Sequence, residues 1–114
     1  YSVTVAVGGI RFVAPIRISD LVTVDTTLVY TGTSSMHFAV DVRARDPMDD
    51  GGERLCTHCV IVFVAVDEAG KPVQVPAWTP VSDEDKRLSE YATQVMALSK
   101  GIEQTVARYR DAID

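Results

Sequence analysis

The sequence predicts an α+β domain: a curved antiparallel sheet followed by a trailing carboxy-terminal helix. Three observations carry that reading. Residues 2–78 are rich in Val, Thr, Ile and Phe, which suit a pleated, half-buried surface, whereas residues 82–114 are rich in the helix formers Ala, Leu, Glu, Lys, Gln and Arg. Apolar and polar residues alternate through two consecutive segments of the first part. Apolar residues recur every three or four positions through the second. A chain of 114 residues has material for one core and not for two.

The first strand is expected over Ser2 to Phe12, with Gly8-Gly9 marking a bulge or bend and Pro15 closing it. A second strand runs from Leu21 to Tyr30, a turn occupies Thr31 to Ser34, and a third strand runs from Met36 to Arg45. With Gly32-Thr33-Ser34 as the loop, Leu28 faces Phe38, Thr26 faces Val40 and Val24 faces Val42, so the apolar residues of both strands meet on one side. The same register sets Asp25 against Asp41, a like-charge pair that Arg43 lies close enough to relieve. A fourth strand spans about Arg54 to Val66. From Cys59 onward it reads apolar on both faces, so it needs a cover on both. One helix can cover only one face; the other cover is a second layer, either the carboxy-terminal helix or another subunit. Val73 to Val75 is expected as a short fifth strand between Pro72 and Pro76.

Ser82 is a good helix N-cap, with Asp85 three residues on as a capping-box partner, and Asp83 and Glu84 suit the positive end of the helix dipole. Leu88, Tyr91, Ala92, Val95, Leu98, Ile102, Val106, Tyr109 and Ile113 form one apolar stripe. Lys100-Gly101 leaves open whether this is one helix or two.

Lys and Arg number 11 against 16 Asp and Glu, a net charge of −5, which argues against a nucleic-acid or anionic-membrane binder. No apolar run is long enough to cross a bilayer. Two cysteines are too few for a disulfide scaffold, and a cytoplasmic location is expected. The chain opens at Tyr1 already inside a strand pattern, and the expectation is that a preceding segment belongs to the domain.

Cys56-Thr57-His58-Cys59 invites a zinc or redox reading, but residues three apart on a strand point to opposite faces, so two small buried residues are the simpler expectation. His37, Asp41, Arg43 and Arg45 share one face of the third strand and read either as a local positive patch for phosphates or as a solvated outer face. The loop bearing Asp46, Asp49 and Asp50 lacks calcium-loop spacing. No nucleophile elbow, phosphate-binding glycine loop or converging carboxylate pair is present, and no metal site is expected.

Four stretches resemble the hot-dog-fold acyl-CoA thioesterases, in particular the cytosolic acyl-CoA hydrolase family. Ile10 to Val22 is similar to that family's F-x-x-P-x-x-x-G-D-x-V segment, with Ser19 where Gly is usual. Tyr30 to Met36 resembles its strand-turn-strand with a Ser-Met pair. Phe63 to Pro76 resembles the following strand and its proline-rich exit, and Pro80 to Arg87 the start of the trailing helix. The resemblance implies that residues 1–114 form a single, partial hot-dog domain, with strands over about 2–78 and a helical tail over about 82–114. The family's central helix, and its catalytic Asp or Asn, would lie upstream of Tyr1, so no residue of this chain is expected to be catalytic.

The implied reaction is hydrolysis of an acyl-CoA thioester to free acid and CoA, with no cofactor because CoA is part of the substrate. Backbone N–H groups at the amino end of the central helix would hold the oxyanion, and a carboxylate or amide would position water. The CoA-binding residues carried over are the turn Gly32, Thr33, Ser34 and Ser35; Arg43 and Arg45 are added as candidate phosphate contacts. Acyl-CoA and further copies of the chain, as a dimer or trimer of dimers, are the implied partners. The alternative is a non-catalytic acyl-CoA-binding or oligomerisation module on the same fold.

Overall fold

The structure, a computed structural model, describes residues 1–49 and 51–113; Asp50 of the acidic loop and Asp114 lie outside the described residues, as do the side chains at 112 and 113, including Ile113 of the expected stripe. Four strands, β1 (Ser2–Phe12), β2 (Leu21–Thr31), β3 (Ser35–Arg45) and β4 (Arg54–Ala65), form one antiparallel sheet in the order β1-β4-β3-β2, and α1 (Asp83–Ile113) follows.

The β2–β3 hairpin has the register its apolar alternation demands: Leu28 pairs with Phe38, Thr26 with Val40 and Val24 with Val42. Asp25 faces Asp41, and Arg43 reaches both carboxylates, at 3.1 Å and 3.7 Å. The ladders slip at several places: between Thr4 and Ala6, between Gly8 and Arg11, between Leu28 and Tyr30, and opposite Cys56. Each such bulge adds local twist, which curves the sheet.

The glycine pair has a second reason beyond bending. Gly8 is buried under α1, where a Cβ would collide with the Ser99 side chain, and Gly9 has φ +61° with Val95 Cγ1 at 2.7 Å from its would-be Cβ. Helix and sheet therefore approach closely at the one point where side chains are absent.

Helix α1 is continuous through Gly101. Its start is a reciprocal cap: the Asp85 N–H donates to Ser82 Oγ at 3.0 Å, and the Asp85 carboxylate accepts from the Ser82 N–H at 3.5 Å. Leu88, Ala92, Val95 and Met96 pack on Val29, Ala39 and Val60, which is the molecule's main core. The expected fifth strand does not form. Val66 and Pro72 make an isolated bridge, and single bonds tie Val73 N–H to the Ala65 carbonyl and Val75 N–H to the Thr33 carbonyl, each 2.9 Å. Pro72 and Pro76 have no N–H to donate, so a regular ladder cannot extend there.

The two sides of β4 differ. Val60 and Val62 are buried on the helix-covered face, whereas Ile61 and Phe63 are only half-buried on the other. That other face is apolar along β2 and β3 too, and Val24 is 57% exposed. The radius of gyration, 17.1 Å, exceeds the about 13 Å of a compact chain of this length. Among the described residues one cover of β4 is present and the second is absent.

Candidate functional site

The uncovered face holds an apolar hollow of about 340 Å³, lined by Val24, Thr26, Phe38, Val40, Ile61 and Phe63. The alternation of three neighbouring strands builds it, because residues two apart on each strand point the same way. Phe38 and Phe63 meet edge to face at its base, ring centres 5.8 Å apart. Thr26 is its single polar lining side chain. The hollow can take apolar chain or an apolar helix, but it carries no group able to move a proton.

At one end of β3 lies the turn Gly32 to Ser35. Gly32 N–H donates to the Ser35 carbonyl at 3.0 Å, closing it. The Ser34 carbonyl accepts from Ala65 N–H and the Thr33 carbonyl from Val75 N–H, each 2.9 Å. Thr31 Oγ1 accepts from Trp78 N–H at 3.1 Å. The turn is thus tied to the end of β4 and to the proline-rich exit, which gives the missing fifth strand a purpose: it braces the turn. Thr33 is exposed at the tip.

Arg43 and Arg45 lie at the opposite end of the same strand. Eight to ten residues at about 3.4 Å each put them roughly 27–34 Å from Ser35. One chain therefore does not bring the two groups of expected CoA contacts together. The positive patch, one of the two readings of this face, does not assemble either. Arg43 is engaged by Asp25 and Asp41. His37 packs edge-on against Tyr30 with its Nδ1 buried and unpartnered, and burial holds its pKa below the ordinary value. Arg45 alone is exposed and outside these contacts.

A further constellation is unexpected from the sequence. Asp41 Oδ1 lies 2.6 Å from His58 Nδ1, and His58 Nε2 lies 2.7 Å from the Tyr91 hydroxyl. This chain of bonds runs from β3 through β4 to α1, on the helix-covered face. Burial first, and the Asp41 charge second, push the Tyr91 phenol pKa up, so the hydroxyl is a hydrogen-bonding anchor and not an activated nucleophile. A signal was available: the β3–β4 pairing puts Asp41 opposite His58, and Tyr91 sits in the helix stripe. The Cys56 thiol is buried in the β4 bulge, 3.7 Å from the Pro15 carbonyl, and Cys59 is half-buried; both are free.

Arg54 of β4 holds the segment from Pro15 to Asp20 at both ends. Arg54 donates to the Pro15 carbonyl at 3.0 Å and pairs with the Asp20 carboxylate, which also accepts from Arg17 N–H at 2.7 Å. Ser19 sits between them at φ +77°, a left-handed conformation that glycine adopts freely.

Comparison with known proteins agrees with this architecture. Residues 1–50 match the Thioesterase superfamily. The chain is 33% identical over 93 residues to the uncharacterized acyl-CoA thioester hydrolase YkhA of Bacillus subtilis, covering 82% of this chain and 54% of that protein. An acyl-CoA hydrolase of Staphylococcus aureus, solved with butyryl-CoA and CoA species, superposes with a TM-score of 0.78 at 28% identity, over 98% of this chain and 68% of its own. A hexameric thioesterase of Yersinia pestis superposes with a TM-score of 0.64 at 33% identity, over 68% and 63%. The chain spans about half the length of the bacterial curated relatives it matches. The sheet order, the trailing helix and these likenesses agree on a hot-dog fold, and the chain is similar to the acyl-CoA thioesterases that share it.

Proposed function

We propose that the protein hydrolyses acyl-CoA thioesters to free acid and CoA, and that residues 1–114 supply its curved sheet, its substrate-facing turn and its trailing helix. The observation that carries the reading is the uncovered apolar hollow between Val24 and Phe63, set in a fold of this family. A hot-dog sheet wraps a helix, and this hollow is the seat for one that does not come from α1. The hollow offers no acid or base. The catalytic carboxylate or amide is therefore supplied by polypeptide other than residues 1–114, or by a paired unit.

The braced turn Gly32 to Ser35 is the proposed CoA contact. With the Thr33 and Ser34 carbonyls tied inward, its hydroxyls are the groups left to meet phosphate oxygens. Arg43, already shared by two carboxylates, has little charge to offer there; Arg45 remains a candidate only for CoA held by a neighbouring copy. The working form is proposed to be an assembly, a dimer or trimer of dimers, in the cytoplasm. A hexameric relative and the half-covered β4 support the assembly. No helix among the described residues is long and apolar enough to cross a membrane.

Thioester cleavage, with the released thiol captured colorimetrically, tests the proposal. The protein encoded with any sequence upstream of Tyr1 is expected to turn over a short-chain acyl-CoA, and residues 1–114 alone are not. Equal turnover by both would refute the division of labour; turnover by neither would refute the activity. The absence of an acid or base in the hollow favours one second reading, a non-catalytic acyl-CoA-binding module. It predicts CoA binding by the longer protein without thiol release.

A further inference from the structure

The second half of α1 carries an apolar row that its own sheet does not use. From Lys100 to Asp111 every side chain is exposed. Leu98, Ile102, Val106 and Tyr109 follow one another at steps of four, four and three residues and are 72, 65, 46 and 67% exposed. Those steps place them in one line along the helix. A solvated helix does not need such a line, and a line this narrow matches the seam between two helices. At its start it adjoins a groove at the free edge of the sheet where Val7, Ile10 and Ile102 are the apolar side chains and Ser99 and Glu103 the polar ones.

The charges beside the row identify the partner. Glu103 and Arg110 stand on the same flank, three residues before and four residues after Val106. When two copies of this helix run antiparallel and cross at Val106, Glu103 of each faces Arg110 of the other, and symmetry makes the contact twice. A parallel pair sets residues of equal height side by side and brings no such opposite charges together.

We propose that the carboxy-terminal half of α1 is a docking surface for the same surface on a second copy, forming an antiparallel helix pair centred on Val106. The row supplies the burial and the Glu103–Arg110 contacts supply the orientation. The proposal rests on the assembly reading above, and its test separates the two.

Sedimentation across a concentration series reads the association. Glu103→Arg and Arg110→Glu each turn two attractions into two repulsions and are expected to weaken association about tenfold. The double exchange restores it to within about twofold. Oxidative crosslinking reads the geometry. Val106→Cys, on the symmetry axis, is expected to give a disulfide-linked dimer that the parent protein does not. Ile102→Cys is not, since antiparallel pairing separates the two copies of residue 102 by about 12 Å along the axis. Equal crosslinking of both variants would overturn the antiparallel pair. An association indifferent to all three charge variants would overturn the surface while leaving the assembly standing. A parent protein that sediments only as a monomer would overturn both.

Discussion

His58 on β4 is bonded at both ring nitrogens, 2.6 Å from the Asp41 carboxylate and 2.7 Å from the Tyr91 hydroxyl, and so joins the sheet to the helix through a single side chain. Elsewhere the helix is held by apolar contact, which fixes how deep it lies better than where it lies along its axis. The His58–Tyr91 bond sets that position, two turns into α1 and next to the close approach at Gly9.

Tyr91→Phe keeps the ring and removes that bond. The expected cost is about 0.5–1.5 kcal/mol in denaturant unfolding, with the slope unchanged. The raised Tyr91 pKa adds a pH signature. The folded state holds the phenolic proton more tightly than the unfolded chain, so stability is present below the ordinary phenol value of 10.0 and falls as pH rises through the shifted one. Tyr91→Phe should flatten the loss of stability that the parent shows as pH rises above 10.0. A parent curve already flat there would contradict the shift.

Asp20 gives the opposite slope. The Arg17 backbone N–H lowers its pKa most, and Arg54 adds to that against the opposing effect of burial; the carboxylate side chain is only 4% exposed. Its contribution is complete above the ordinary carboxyl value of 3.8 and is lost as pH falls through the depressed one. Acid unfolding of Asp20→Asn should therefore begin from a lower stability but show a shallower loss below about pH 4. Identical acid profiles for the two proteins would contradict the assignment.

Ser19 occupies a left-handed conformation at φ +77°. An L-residue pays roughly 1 kcal/mol there that glycine does not. Ser19→Gly is expected to raise stability by up to about 0.5 kcal/mol, after allowing for the greater freedom of glycine in the unfolded chain. A loss of stability on thermal unfolding would show that the serine hydroxyl matters more than its backbone.

Gly9→Ala tests the helix seat. The new methyl would lie 2.7 Å from Val95 Cγ1 at a backbone conformation of φ +61°. Steric and conformational costs add, and a loss of about 2 kcal/mol or more is expected. A neutral substitution would mean that α1 does not lie on β1 at this point.

Local and pairwise patterns were legible in the sequence. The hairpin register followed from alternation that survives only one alignment of Leu28, Thr26 and Val24 against Phe38, Val40 and Val42. The cap followed from Ser82 and Asp85. The demand of β4 for two covers followed from its unbroken apolar run, and the structure supplies one. What was not legible depends on where the chain bulges and how the helix crosses. The bulge at Cys56 changes which residues of β4 face the helix, and Tyr91 meets His58 from 33 positions away, so neither is visible as a spacing. The expected fifth strand failed because flanking prolines outweigh a short β-prone run. Arg43 was legible as the residue that relieves the Asp25–Asp41 pair, and it reaches both carboxylates.

The most direct test of the central claim places a charge in the hollow of the working protein. Val24 is 57% exposed here, so Val24→Arg would be tolerated within about 0.5 kcal/mol if that face met water in the active protein. If the face seats an apolar helix, a buried unpaired guanidinium should cost about 3 kcal/mol or more and abolish thioester hydrolysis. Loss of both stability and turnover is the expected result; a Val24→Arg protein as stable and as active as the parent would contradict the account.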